Sequence, residues 1–362
     1  MWRITSRSPP ASQVRCSPSQ PPANTRIARQ NDLRRLGAQP RMRIRFKHST
    51  DNHSFDPIGH TGLMIRSVRE LPTVPGVYRF RDDAGKVLYI GRARNLRRRV
   101  QSYWVNVGDR PHLARMVRRI ARVEGVSCDS EHEAAWLERN LLEHSKPRWN
   151  RIEGGAEVVG YIRLSSGSKP GLRFEHTVTG PSPHFGPYLG GLRIRQAISG
   201  LHRVLPLQYT VEGDGSAEEF GRLFGIGPGD REALARTAIA VLQRDPAAVA
   251  TLREELVRRR DRASAELRYE FAAKVQGELE ALDWIVAEQK VAWLEPTDVD
   301  VYGWADGVLV RFELRGGRMC TWTVRAVHEA TARERVAATP ELWRTFARRN
   351  AELAARLLKV TS

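Results

Sequence analysis

Two short stretches near residue 80 have the hydrophobic pattern of β-strands. Val77 to Arg81 alternates apolar and polar side chains, and Val87 to Ile90 is mostly apolar. Between them lie the turn-forming residues 82–85, Asp-Asp-Ala-Gly. Because such a turn joins two adjacent strands, the pattern predicts a β-hairpin that places Tyr78 and Tyr89 on neighbouring strands.

The spacing of apolar positions becomes helical after this hairpin. Apolar or aromatic residues recur every three or four positions over 96–103 and again over 113–121. This periodicity predicts two amphipathic helices, with arginines on the other faces of the first. The apolar stretch at 123–128 predicts a third strand.

A third helix is marked by its end signals. Ser130 followed by Glu133 has the spacing of a capping box, and the helix must stop before Pro147. The predicted order is strand, strand, helix, helix, strand, helix. It indicates a small α+β domain over residues 66–152, with a short antiparallel sheet flanked by helices.

The rest of the chain divides into three segments. Residues 153–250 are assigned as a connecting region. Apolar residues recur at helical spacing across 251–291 without a proline, which predicts a helical hairpin. Residues 298–324 read as two or three strands, and a helix follows at 340–358. Residues 292–362 are therefore predicted to be a small strand-rich segment that ends in a helix.

The N-terminal residues 1–65 are predicted to form a disordered basic tail. Pro, Ser and Gln are frequent there and large apolar side chains are few, so the segment cannot bury enough surface to offset the entropy of ordering. An organelle transit peptide is one alternative. A start codon assigned too far upstream is another, with Met64 as the true start.

Charge adds a binding partner to this picture. The 362-residue chain has an ordinary hydrophobic content of 41% but a formal net charge of +18. A large basic excess is typical of proteins that bind polyanions, and nucleic acid is the first of these. Residues 1–50 contain eleven Lys and Arg against a single acid, Asp32, so the tail exaggerates the signal.

Cysteine usage and hydropathy exclude several classes. Cys16, Cys128 and Cys320 lie more than a hundred residues apart, which leaves neither a zinc site nor an iron–sulfur cluster to be drawn from them. No run of eighteen apolar residues or secretory signal occurs, so a membrane span is not expected. A reducing cytoplasm fits this composition.

A known motif links these observations. Gly76-Val77-Tyr78, ten further residues and Tyr89-Ile90-Gly91 resemble the signature of the GIY-YIG nuclease family. The stretches YIGRARNLRRRVQSYW and EAAWLERNLLEHSKPRWN resemble the N-terminal nuclease of the excinuclease UvrC. The likeness extends over about residues 66–327. It suggests the N-terminal half of a UvrC, truncated before the RNase H-like domain as in the short Cho-type repair nucleases.

The resemblance implies a metal-dependent endonuclease that nicks damaged DNA on the 3′ side of a lesion in nucleotide excision repair. The implied catalytic residues are Tyr78, Tyr89, Arg92, Arg99, Glu138 and Asn150. Glu138 would be the ligand of Mg²⁺ or Mn²⁺ and Arg99 a phosphate clamp. Tyr78 would be the general base or water orienter if nearby arginine and metal charge lower its pKa.

Tyr89 would position the phosphate or share in proton relay, and Asn150 would hold the surrounding hydrogen bonds. A set of neighbouring arginines is expected to contact DNA phosphates generally: Arg94, Arg97, Arg98, Arg118 and Arg119.

Two departures from the family leave alternatives open. The family often has a lysine where this chain has Arg92, and arginine does not deprotonate at working pH. Segment 251–291 resembles the UVR motif that binds the helicase UvrB, but Gln276 and Gly277 replace its usual Arg-Asp, and a plain helical hairpin is the alternative. A catalytically impaired DNA-binding or scaffold paralogue is therefore a second hypothesis. A mobile-element nuclease of the same fold is a third.

Overall fold

The structure, a computed structural model, describes residues 66–105, 111–150 and 157–361. The predicted disordered tail lies outside these residues. After a helical stretch at 66–70, the first region contains six elements: β1 (Gly76–Arg81), β2 (Val87–Ala93), α1 (Leu96–Val105), α2 (Pro111–Val117), β3 (Arg122–Ser127) and α3 (Glu131–His144). The predicted order of strands and helices is confirmed.

The second helix is shorter than its apolar pattern predicted. Helix α2 ends at Val117, because the Ile120 N–H bonds to the Val117 carbonyl three residues back and the Ala121 N–H leaves the helix to bond to Arg81 at 2.8 Å. Ile120 is nevertheless fully buried. The apolar spacing therefore predicted the burial of Ile120 correctly but overestimated the length of the helix.

Strand β1 is the centre of the first sheet, which has the order β2-β1-β3 and is antiparallel throughout. Successive side chains of β1 point to opposite faces. Tyr78 and Phe80 face the core that includes Val100 of α1 and Met116 of α2. Val77 packs in the other core, beside the buried residues of α3.

The region predicted as a connection has a sheet of its own. Its strands are β4 (Val159–Ser165), β5 (Gly171–Glu175) and β6 (His184–Leu189), in the antiparallel order β5-β4-β6. Three helices follow: α4 (Gly191–Val204), α5 (Gly215–Phe224) and α6 (Arg231–Leu242). Apolar residues of this sheet and of α4 share one core with the next helical pair.

That pair consists of α7 (Pro246–Ala265) and α8 (Tyr269–Val286). The helices run antiparallel, since Arg253 pairs with Asp283 and Arg260 bonds to Gln276. Helix α8 packs on α4, and a Cβ added at Gly277 would lie 3.2 Å from a side-chain nitrogen of α4. This glycine therefore permits close helix packing and does more than weaken the helix.

The last region packs directly against the first. Its elements are β7 (Val299–Ala305), β8 (Val308–Arg315), β9 (Arg318–Ala326), α9 (Glu329–Ala337) and α10 (Glu341–Thr361). Trp322 and Phe346 belong to the same core as Trp136 of α3, and the Asn350 side chain bonds to the Ser127 backbone. In the described part of the chain, no helix is long and apolar enough to cross a membrane.

Candidate active site

The two glycines of the motif are required by close packing. A Cβ at Gly76 would collide with the Val126 carbonyl oxygen and would lie 2.6 Å from a methyl carbon of Leu96. At Gly91 it would lie 2.5 Å from the hydroxyl oxygen of Tyr78. Any side chain at Gly91 would displace the Tyr78 ring. The motif therefore fixes where a tyrosine hydroxyl lies as well as the path of the strand.

Three tyrosine rings form the centre of the site. The ring centroids of Tyr78, Tyr89 and Tyr103 are 6.0 to 6.1 Å apart in each pairing, which makes a nearly equilateral triangle. The hydroxyl oxygens of Tyr78 and Tyr103 are 2.8 Å apart and hydrogen-bonded. The sequence pattern assigned Tyr103 only to the apolar face of α1, with Leu96 and Val100. In the sequence, the signal that could have drawn attention to Tyr103 was its position seven residues after Leu96.

Burial has the largest effect on the pKa of Tyr78. Burial raises the pKa well above its usual value, Tyr103 and Tyr89 raise it further, and Arg99 opposes them. Burial also raises the pKa of Tyr89, with Tyr103 adding to the effect. Burial thus leaves Tyr78 a neutral phenol. In this state it can orient a water molecule by hydrogen bonding, but it is not a ready phenolate base.

Arg99 supplies the positive charge beside the tyrosines. Its guanidinium carbon lies 5.4 Å from the Tyr103 ring centroid. Burial lowers the pKa of Arg99, but its interactions with Tyr78 and Tyr103 raise it on balance. The side chain is therefore a permanent cation, with the planar fork that suits a phosphate.

Glu138 of α3 faces the same site from across β2. One carboxylate oxygen accepts the backbone N–H of Arg92 at 3.1 Å, and the other lies 3.3 Å from Arg92 Nε. Burial raises the pKa of Glu138, while Arg92 opposes the shift. Within the described residues, no three His, Cys, Asp or Glu side chains are grouped for a metal. One hard oxygen donor, 23% exposed, fits Mg²⁺ or Mn²⁺ that keeps most of its own waters.

Arg92 also binds a carboxylate that the sequence did not single out. Its Nη2 lies 2.7 Å from Oε1 of Glu157, and Nη1 lies 3.4 Å from Oε2. Burial lowers the pKa of Arg92, but Glu157 and Glu138 raise it on balance. Glu157 belongs to no motif, so only the fold reveals this bridge between two carboxylates.

Asn150 acts on the strand rather than on the tyrosines. Its side-chain oxygen accepts the Ile90 N–H at 3.0 Å, and its amide donates to the Ile90 carbonyl at 2.8 Å. The side chain thus pairs with β2 as a neighbouring strand would. It holds the residue between Tyr89 and Gly91 in place, which makes Asn150 a positioning residue.

The five arginines expected to contact phosphates are dispersed. Arg94 pairs with Glu131 at 2.8 Å, and Arg119 lies 3.5 Å from Asp82 at the β1–β2 turn. Arg97 donates to the Leu71 carbonyl at 2.7 Å. Arg98 and Arg118 are exposed. Their contact with DNA remains a prediction.

The fold and the site together define a class. A three-stranded antiparallel sheet with paired tyrosines and a glutamate on the third helix is the arrangement that the sequence motif implied. Residues 74–151 match the family model described as the UvrC-like GIY-YIG domain, and this part of the chain belongs to that family.

The full-length relatives are named UvrABC system protein C. The protein from Pseudarthrobacter chlorophenolicus is 32% identical over 287 residues, which are 72% of this chain and 42% of that protein. The protein from Prosthecochloris aestuarii is 28% identical over 304 residues, 73% of this chain and 46% of that one. The chain thus spans less than half the length of these curated relatives.

A solved structure is also similar in sequence. It is the N-terminal endonuclease domain of UvrC from Thermotoga maritima bound to magnesium, described as its catalytic divalent cation. The identity is 33%, and the match covers 24% of this chain and 96% of that one, with a TM-score of 0.22.

Proposed function

We propose that this chain is a metal-dependent DNA endonuclease of the GIY-YIG type. It makes a single-strand incision on the 3′ side of a lesion during nucleotide excision repair in the cytoplasm. The observation that carries the proposal is the triangle of Tyr78, Tyr89 and Tyr103, with Arg99 and Glu138 beside it. The family of residues 74–151 and the net charge of +18 support DNA as the substrate.

Each group has a task in phosphodiester hydrolysis. Arg99 binds the scissile phosphate and stabilises the negative charge that develops on its oxygens. Tyr78, held by the Tyr103 hydroxyl, orients the attacking water, and Tyr89 positions the phosphate from the neighbouring strand. Asn150 keeps β2, and with it Tyr89, in register. Because Tyr78 is a neutral phenol in this environment, its role is to orient the water before proton transfer.

Glu138 is the residue that would hold the divalent cation, Mg²⁺ or Mn²⁺. Such an ion supplies a Lewis acid to the phosphate oxygens and lowers the pKa of a bound water. Arg92 lies next to this carboxylate and balances its charge through the backbone N–H and the guanidinium.

The α7–α8 hairpin is the proposed docking site for a UvrB-like helicase. Its tip carries Leu267 and Tyr269, whose exposed fractions are 71% and 63%. The inner face of α8 is buried against the rest of the protein. The tip is thus the apolar part of the hairpin that a partner can reach.

A deletion limited to this tip should reduce helicase binding without changing incision of naked DNA.

One observation in the structure favours the scaffold hypothesis, in which the chain binds DNA without cutting it. Arg92 engages both Glu138 and Glu157, so the carboxylate assigned to the metal already has a cationic partner. A chain in which Arg92 stays bound to Glu138 would bind DNA without cutting it.

The proposed function is tested by Glu138→Gln. The amide can still accept the Arg92 N–H, but it is a poor metal ligand, so we expect incision of lesion-bearing duplex with Mg²⁺ to fall about a thousandfold or more. DNA affinity should stay nearly intact. Nick mapping is performed with and without damage-loading proteins.

Glu143→Gln is the matched control. It lies on the same helix and pairs with Arg139 and Arg318 away from the tyrosines. Equal incision by the Glu138 variant and the wild type would refute the assignment.

A further inference from the structure

A groove opens beside the candidate active site. It lies between β2, α3 and the junction of β6 with α4, and Trp284 of α8 forms part of its wall. Its volume is about 460 Å³, within the roughly 300–1,000 Å³ typical of ligand pockets. Three arginines line it: Arg92, Arg94 and Arg193. Two of them come from β2 and the loop after it, whereas Arg193 comes from a region with no assigned function.

The guanidinium of Arg193 is held in a fixed position. Its central carbon lies 3.9 Å from the ring centroid of Trp284. The indole N–H of Trp284 donates to the Leu189 carbonyl at 3.1 Å, and the His132 ring lies 4.7 Å from the indole. A cation resting on an anchored ring loses less conformational freedom when it binds a ligand.

Arg193 differs from the other two arginines in its charge balance. Arg92 is paired with Glu157 and Arg94 with Glu131. Across the described ranges 66–105, 111–150 and 157–361, the Arg193 side chain forms no ion pair or hydrogen bond. It therefore contributes the uncompensated positive charge of the groove, with the donor fork of a phosphate-binding residue.

We infer that this groove binds a backbone phosphate of the DNA strand next to the scissile phosphodiester, with Arg193 as the principal contact. Continuity with Arg92 places the ligand beside the site. Every phosphate carries the same charge, so the contact positions the strand without reading its sequence. The inference rests on the proposed function only for the identity of the ligand as DNA.

The test compares Arg193→Ala with Arg195→Ala in the full chain. Both arginines lie near the start of α4 and both rest on an aromatic ring, Arg195 on Phe174 with its guanidinium carbon 4.6 Å from the centroid. Only Arg193 lines the groove. Affinity for a fluorescein-labelled duplex is measured by anisotropy in EDTA across a salt series, so the result does not depend on cutting.

Arg193→Ala should weaken binding by roughly threefold to tenfold and reduce the salt slope, the change of log affinity with log salt, by about 0.9. Arg195→Ala should leave the slope near the wild-type value. Equal slopes for the two variants would overturn the inference.

A second measurement locates the contact. Single phosphates of the duplex are replaced one at a time by uncharged methylphosphonates. One position beside the nick site should weaken the wild-type protein but not Arg193→Ala, because each change removes the same interaction. Additive losses at every position would overturn the assignment to Arg193. If incision fails in all proteins while this coupling is found, the proposed function fails and the phosphate site remains.

Discussion

Adjacent residues of β1 place two very different polar clusters on the two faces of one sheet. On one face, Tyr78 joins Tyr89, Tyr103 and Arg99. On the other face, the Arg79 guanidinium pairs with Glu124, donates to the Trp322 carbonyl at 2.9 Å and lies 3.6 Å from the Trp322 ring centroid. The C-terminal region covers the second face, whereas Tyr89 on the first face remains partly exposed.

The two clusters differ in the role of their arginine. Arg79 has a structural role, whereas Arg99 is placed to bind a ligand. Burial lowers the pKa of Arg79 to about 10, while Glu124 opposes the shift, so the guanidinium stays charged at neutral pH. Its charge has a protein partner, and its side chain is only 5% exposed. On the tyrosine face, Arg99 has aromatic neighbours and, although its charge also lowers the pKa of Glu138, no ion-pair partner among the described residues. A substrate phosphate can supply that partner.

The largest effect on stability should come from breaking the buried ion pair between Arg79 and Glu124. In Glu124→Gln, Arg79 loses its buried counter-charge, so the free energy of unfolding should fall by about 3–5 kcal/mol. Urea unfolding followed by tryptophan fluorescence measures it. Glu232→Gln breaks an exposed pair with Arg236 and should cost under about 1 kcal/mol. If the two variants were equally stable, the Arg79 face would not be a structural anchor.

On the tyrosine face, a substitution should reduce the incision rate strongly and stability only slightly. Tyr78→Phe removes the hydroxyl bonded to Tyr103 but keeps the ring, so incision should slow by roughly a hundredfold. Stability should change by only about 1 kcal/mol. Tyr302→Phe is the control, because it removes a hydroxyl bonded to Asp300 in the last sheet. A Tyr78 variant that unfolds easily yet cuts normally when folded would reverse the comparison.

The smallest effect is expected for Arg92→Lys. If this position only supplies positive charge near Glu138, the lysine variant should cut within about tenfold of the wild type, since both cations bind phosphate. Arg92→Ala should lose about a hundredfold. Single-turnover incision rates measure both. A lysine variant faster by orders of magnitude would favour the scaffold hypothesis, because the natural chain would then be impaired.

Local patterns predicted the first domain well. The hairpin, the capped third helix and the placement of Tyr78 and Tyr89 on neighbouring strands all follow from local signals in the sequence. Ser130 caps α3 as expected, accepting the Glu133 N–H at 3.0 Å. The Glu133 side chain bonds elsewhere, to the N–H of Asp129 and of Lys290, so only half of the predicted capping box forms.

The missed features join residues that are distant in sequence. Tyr103 is 25 residues from Tyr78, and Glu157 is 65 residues from Arg92. The sheet in the connecting region was not predicted. The packing of this sheet brings Arg193 to the groove. A contact between separate segments cannot be predicted from the periodicity within one of them.

The sequence by itself determined which residue types are present and, in the first domain, which strand or helix carries each of them. Backbone geometry repeats every two or 3.6 residues, so a local pattern is enough to set a face. Only the tertiary structure decided that Tyr103 completes the tyrosine triangle, that Arg79 is buried against Trp322 and that the Arg193 side chain has no ion-pair partner among the residues the structure describes. These outcomes depend on close packing between separate elements, because the packed neighbours fix which polar groups lose water and which find partners.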